Sequence, residues 1–214
     1  MANQTVALVN EWANFEAKHP KGTIEEFCRH YLARQKKEKA KGTQVGGVVP
    51  VLSDGLLLKI IGRISKLNMA FANMALKDTG LNQIEEFGIL GTIRQEGNPK
   101  KTEVIYANLF ELSSGTDMLA RLKKRGIIRE YNDKEDKRSK RIELTAKGDK
   151  IWDVCKYRIT KNAMMMMHDL SSDDKDLCIQ LLQNIEIKYS AMWQKNKGKS
   201  FDEIYEEVIS NDKK

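Results

Sequence analysis

The sequence predicts a mainly α-helical fold with one small β-wing, and two observations carry that expectation. The 214 residues include only three prolines and are rich in Leu, Lys, Glu and Met, which favour helices. One region departs from the helical pattern. There, 127–131 and 141–145 read as short strands on either side of a charged turn, 132–140. A hydrophobic content of 41% with 31% charged residues fits a folded globular chain, long enough for one or two small domains with a real core.

The elements follow in order. Residues 6–17 read as a helix with Leu8, Trp12 and Phe15 on one face, broken by Pro20 and Gly22. Thr23 caps a second helix whose Ile24, Phe27, Cys28, Tyr31 and Leu32 recur at i, i+3, i+4, i+7 and i+8. The two make a helical hairpin over 1–36 with too little core to fold alone. A lysine- and glycine-rich linker at 37–54 follows. The long helix of the segment 55–80 carries Leu57, Ile60, Ile61, Ile64, Leu67, Phe71 and Met74 at close to seven-residue spacing, a stripe that suits a subunit interface or a monomer core. Ser53 and Asp54 are its expected caps.

Residues 81–148 hold three short helices and the ribbon. Asn82 is expected to cap the first, 83–95, and Thr102 the second, 103–110. Leu112 and Ser113 then form a turn, and Ser114 with Asp117 reads as a capping box opening a helix that Gly126 stops. Helix, turn, helix and basic ribbon in this order form a winged helix-turn-helix, which presents one helix and one wing to DNA. Beyond it, 149–214 holds further helices, one starting at Thr145, one at Ser171–Ser172 and a last at 201–209, expected to join the long helix in dimerisation.

Charge agrees with that reading. From Ser113 to Lys147, eleven basic residues face six acidic ones, leaving +5 of the whole-chain +7. Met118, Leu119 and Leu122 form the inner face of the capped helix, which turns Ser114, Asp117, Arg121 and Lys124 outward. Its N-terminal hydroxyls suit phosphates or base edges, and Arg121 suits a bidentate guanine contact. In the turn, Lys137, Arg138, Lys140 and Arg141 surround acids, of which Asp136 is expected to pair with and orient an arginine. A solvated charge run is the plain alternative for such a cluster, weakened here by its place between two strands.

The segment 133–148, D-K-E-D-K-R-S-K-R-I-E-L-T-A-K-G, resembles the wing signature of MarR-family transcriptional regulators, and 119–128, L-A-R-L-K-K-R-G-I-I, resembles the end of their recognition helix. The resemblance runs over about 56–192. It implies a bacterial, cytoplasmic homodimer joined by N- and C-terminal helices that binds double-stranded DNA at an inverted repeat. It also implies a repressor that releases DNA in response to a small aromatic effector or an oxidant. Arg138 falls on the family's minor-groove wing arginine, Asp136 on the acid that buttresses it, and Ser113, Ser114, Thr116 and Arg121 on recognition-helix positions. The hairpin over 1–36 lies outside the family's pattern, and Gly115 and Asp117 depart from its usual residues. Ile64, Phe71, Phe87 and Trp152 are expected to line an apolar effector crevice, the alternative being a junction packed solid.

Other classes find little support. No stretch is long and apolar enough to span a membrane as a helix, and 1–9 lacks a signal-peptide pattern, which makes the cytoplasm the expectation. No phosphate-cradling loop, nucleophile elbow or zinc signature occurs, so neither an enzyme nor a cofactor is expected. Met164–Met167 beside His168 wrap around a helix rather than converge, and no metal is expected there. Cys28, Cys155 and Cys178 read as core-filling thiols. The competing reading is a winged-helix protein-interaction module acting through its N-terminal hairpin, which has no need of the five basic residues from Lys134 to Arg141.

Overall fold

The computed structural model describes residues 3–35 and 49–211, so most of the linker expected at 37–54 lies outside the described residues. The chain forms two units, 1–60 and 61–214. In the first, α1 (Gln4–Glu16) and α2 (Ile24–Gln35) form a helical hairpin. Thr23 Oγ1 accepts from Glu26 N–H at 3.2 Å and Glu26 Oε2 accepts from Thr23 N–H at 2.9 Å, a reciprocal capping box that fixes where α2 begins. Phe15 and Phe27 are buried against each other with ring centroids 5.6 Å apart, and Trp12 packs edge-on to Phe27 at 5.1 Å. Gly22 allows the turn to close, since a Cβ there would stand 2.6 Å from the Phe15 ring. The expected α2 stripe is mostly exposed: Ile24, Cys28 and Leu32 face solvent and Phe27 alone of the five is buried.

The long helix α3 (Ser53–Leu76) starts earlier than expected, which places Ser53 and Asp54 in its first turn rather than at its cap. Its C-terminal end enters the second unit through buried Ala72 and Leu76. There α4 (Ile84–Glu96), α5 (Lys101–Ala107) and α6 (Leu112–Lys124) precede strands β1 (Ile128–Asn132) and β2 (Lys140–Leu144). One core serves all of them: Leu76, Ile89, Leu90, Ile93, Val104, Ile105, Leu119, Leu122, Ile128 and Ile142 are almost fully shielded from water. Burial of such side chains is worth about 1.5–3 kcal/mol each relative to exposure.

Three further helix starts differ from expectation, at α4 and α5 because a distant or neighbouring group supplies the cap. At α4, Gln83 rather than Asn82 precedes the helix, and the Ile84 N–H donates to Asn73 Oδ1 of α3 at 2.8 Å. At α5, Thr102 lies inside the helix; Glu103 reaches back to the Lys100 N–H at 2.8 Å. At α6, the helix begins at Leu112 after Glu111, so Ser114 and Asp117 form no capping box.

The strands pair antiparallel from Ile128 with Leu144 to Asn132 with Lys140, within one residue of the expected runs. Lys100 bridges Arg141, and the Ile142 N–H donates to Pro99 O at 3.0 Å, so the segment before α5 edges the ribbon. Helices α7 (Ala146–Met166), α8 (Ser172–Lys195) and α9 (Phe201–Asn211) complete the chain. Thr145 caps α7 through the Gly148 N–H at 3.1 Å, and Ser171 caps α8 through the Asp174 N–H at 3.1 Å. Gly148 is obligatory, because a Cβ there would lie 2.2 Å from the Ile127 carbonyl oxygen.

Candidate nucleic-acid interface

Helix α6 presents its outer face because its inner face is consumed. Met118, Leu119 and Leu122 are buried as expected, and Gly115 meets α5 so closely that a Cβ would stand 2.6 Å from Ile105. Gly115 therefore reflects helix contact, which explains its departure from the usual apolar residue. Ser113, Ser114, Asp117, Arg121 and Lys124 remain exposed, and Thr116 sits half-buried at the edge.

Gly126, at φ 68°, ends the helix in a Schellman motif. Its N–H donates to Lys123 O at 2.9 Å and the Ile127 N–H to Leu122 O at 3.1 Å, which leads the chain straight into β1. One ion pair anchors this corner. Arg125 Nη2 lies 2.7 Å from Oε1 of Glu86, a carboxylate only 1% exposed, and Arg125 Nη1 donates to Gly80 O at 3.2 Å. The other Glu86 oxygen accepts from the Asn82 N–H at 2.8 Å. Sequence reading missed this pair, since no local pattern links positions so far apart.

Asp133, not Asp136, organises the wing. Its Oδ1 accepts from the N–H groups of Glu135 at 2.8 Å and Asp136 at 3.0 Å, and its Oδ2 accepts from Arg141 Nε. The main-chain donors of Asp136 and Glu135 lower the Asp133 pKa to about 2 against the opposing effect of burial, with Arg141 assisting. Arg141 also donates through Nη1 to Asn98 O at 2.9 Å. It was expected among the DNA contacts, yet its guanidinium ties the wing to the loop before α5. Asp136 was expected to orient an arginine; instead its carboxylate accepts from the Arg138 main-chain N–H at 3.0 Å and shapes the turn.

The basic residues thus divide into two sets. Arg129 pairs with Glu143, and Lys123 with Glu130 at 2.7 Å. Partial burial raises the Glu130 pKa, but Lys123 and Lys101 outweigh it and hold the carboxyl below its usual value. Lys140 donates to Asn132 Oδ1. Arg121, Lys124, Lys137 and Arg138 are exposed and have no side-chain partner among the described residues.

The four expected crevice residues differ in their surroundings. Phe87 and Trp152 stack face to face, with centroids 4.5 Å apart at 8°, while Ile64 and Phe71 lie exposed on α3. Stacking uses up the facing surfaces of the two rings, which favours the packed alternative at that junction. Cys28 and Cys178 are exposed rather than core-filling, whereas Cys155 is buried and burial raises its thiol pKa. No group of three or more His, Cys, Asp or Glu among the described residues is arranged to hold a metal ion.

The winged helix DNA-binding domain family matches residues 84–148. The transcriptional regulator SlyA shares 18% identity over 66% of this chain and 99% of its own, with a TM-score of 0.61. A mutant of MarR from E. coli, complexed with operator DNA, shares 22% identity over 60% of this chain and 92% of its own, at a TM-score of 0.57. BpsR of Bordetella bronchiseptica, whose DNA binding is regulated by 6-hydroxynicotinic acid, shares 18% identity over 61% of this chain and 98% of its own, at 0.56. No curated protein sequence matches the chain. Residues 84–148 thus match the winged helix DNA-binding domain model, and the chain has the fold of MarR-type transcriptional regulators.

Proposed function

We propose that this chain is a sequence-specific DNA-binding transcriptional regulator that acts as a homodimer on an inverted-repeat operator. The observation that carries the reading is the division of the cations. Arg125, Arg129 and Arg141 are held by carboxylates, while Arg121, Lys124, Lys137 and Arg138 stand unpaired on the outer face of α6 and at the wing tip. Four unpaired cations on one helix and on the turn that follows it leave a basic surface open to a polyanion. In this reading α6 enters the major groove with Arg121 on a base edge, and its N-terminal hydroxyls Ser113, Ser114 and Thr116 meet phosphates. Arg138 enters the minor groove, where A·T-rich DNA has enhanced negative potential.

The dimer is supported by apolar surface that one protomer leaves open. Leu57, Ile64, Leu67, Phe71 and Met74 on α3, and Ile179, Leu181 and Ile185 on α8, are all exposed. Pairing such faces as obligate dimers do buries more than about 2,000 Å². Repression and response to a small effector are carried by the resemblance to MarR-type regulators and form part of the proposal.

Salt-dependent binding of duplex DNA tests it. Four neutralised phosphates, two per protomer through Lys124 and Lys137, would give log K against log[salt] a slope of about −3.6. Binding with a slope near zero, or none to any duplex at low salt, would overturn the reading and favour a protein-interaction module.

A further inference from the structure

The junction of α8 and α9 holds a cavity of about 380 Å³, within the size range of small-molecule sites. Its wall is largely apolar, built from Tyr189, Met192, Trp193 and Ile204. Asn196, at the end of α8, also lines it and is only 4% exposed. The main chain of Asn196 is satisfied, its N–H donating to Met192 O at 2.9 Å and its carbonyl accepting from Lys199 N–H at 3.0 Å. The carboxamide is not: both Nδ2 and Oδ1 are shut off from solvent and have no hydrogen-bond partner. Buried polar groups nearly always find partners, so an orphaned donor and acceptor on one side chain calls for a specific explanation. Turning the carboxamide toward the cavity would sacrifice no hydrogen bond and could gain two.

The frame around it is fixed. Ser200 and Glu203 cap α9 reciprocally, with the Ser200 N–H 2.7 Å from Glu203 Oε2 and the Glu203 N–H 3.3 Å from Ser200 Oγ. Lys199 is braced against Glu207 at 2.6 Å, and the ammonium of Lys197 sits 3.9 Å above the Tyr106 ring of α5. The rim includes Glu111, the residue immediately before α6, whose carbonyl accepts the Gly115 N–H at 2.9 Å. An occupant therefore touches the start of the helix assigned to the major groove.

We infer that this cavity is a binding site for a planar, neutral molecule with an N–H beside a C=O along one edge, and that its occupancy alters DNA affinity. The lock is chemical. A carboxamide offers one donor and one acceptor in a plane, which a lactam or cyclic imide edge matches with two hydrogen bonds. The rings of Tyr189 and Trp193 suit a flat apolar body. A bare carboxylate would answer only the Nδ2 donor and leave Oδ1 orphaned. The binding half stands on the cavity alone; the effect on affinity rests on the DNA-binding reading above.

The test uses the full chain, with 2-quinolone as the probe and 1-methyl-2-quinolone, which lacks the donor, as its control. Calorimetry should show 2-quinolone binding about tenfold or more tightly than the methylated control, since sites built to hydrogen-bond a group reject analogues lacking it. Asn196→Leu should abolish that preference while keeping or raising the melting temperature, because the orphaned atoms are gone. Trp193→Ala, a change at an exposed side chain, should weaken both compounds. Saturating 2-quinolone should shift the Kd for duplex DNA in wild type and leave it unchanged in Asn196→Leu. Equal binding of the two compounds, no binding of either, or a preference that survives Asn196→Leu would overturn the site. A confirmed preference with an unmoved DNA Kd would overturn its link to DNA. A chain that binds the probe selectively but no DNA at all would overturn the functional reading and not the site.

Discussion

Removing the guanidinium of Arg125 tests how α6 is held at its C-terminal end. Arg125→Met keeps the aliphatic stem and leaves Glu86 as a carboxylate 1% exposed whose remaining hydrogen bond comes from Asn82. It also removes the bond to Gly80 O. Breaking one partner of a buried ion pair costs about 3–5 kcal/mol, because the other charge stays desolvated without compensation. For a chain of this size each kcal/mol lowers the melting temperature by about 2–4 °C, so the fall should be about 6–20 °C. Thermal melts followed by circular dichroism read it directly. The double variant Glu86→Met/Arg125→Met separates the pair from simple packing. It removes both charges and should recover most of the loss, since apolar replacements for a buried pair are often neutral or better. A single variant that melts with wild type, or a double variant as unstable as the single, would refute the claim that Arg125 is held structurally by Glu86.

Three further outcomes follow from the site. Arg138→Ala should weaken duplex binding by about 1–3 kcal/mol, most on A·T-rich flanks, whereas Arg121→Ala should relax preference at one base position per half-site; fluorescence anisotropy on duplex variants distinguishes them. Asp133 has its pKa lowered to about 2 in the folded chain, below the unfolded value of 3.8, so its contribution is full above about pH 4 and lost as pH falls toward 2. Asp133→Asn should be less stable than wild type at pH 7, and melts across this range should show the difference narrowing on acidification; a constant difference would contradict the assignment. With a thiol reagent under native conditions, Cys28 and Cys178 should react promptly and Cys155 only on unfolding, as counted by mass spectrometry.

Much of the fold was legible because its signals are local. The inner face Met118, Leu119 and Leu122, the stop at Gly126 and the strands to either side of the wing turn depend on periodicity and on a backbone position that needs positive φ. The caps were less legible. Ser114 and Asp117 form a plausible local box, yet the fold starts α6 three residues earlier. The cap of α4 comes from Asn73, eleven residues away. At the site, the exposed cations were legible as a basic run, but which of them are held was not. Arg125 is tied to Glu86 and Arg141 to Asp133 and Asn98 through contacts that only the folded chain creates. Two acids three residues apart look equivalent in sequence, and the closing of the turn selects Asp133 over Asp136 as the buried one. The stripe on α3 was visible as apolar, while its exposure in one protomer became clear from the fold.

Selection of bound sequences from a random duplex pool, with the full chain as bait, tests the central claim most directly. The account predicts enrichment of an inverted repeat whose half-sites lie about 10–10.5 base pairs apart, centre to centre, with A·T-rich positions where Arg138 meets the minor groove. The same selection with Arg121→Ala should lose information at one position in each half-site. A pool that emerges without enrichment, or one enriched identically by Arg121→Ala and Arg138→Ala, would contradict the assignment of α6 and the wing as the surface that reads DNA.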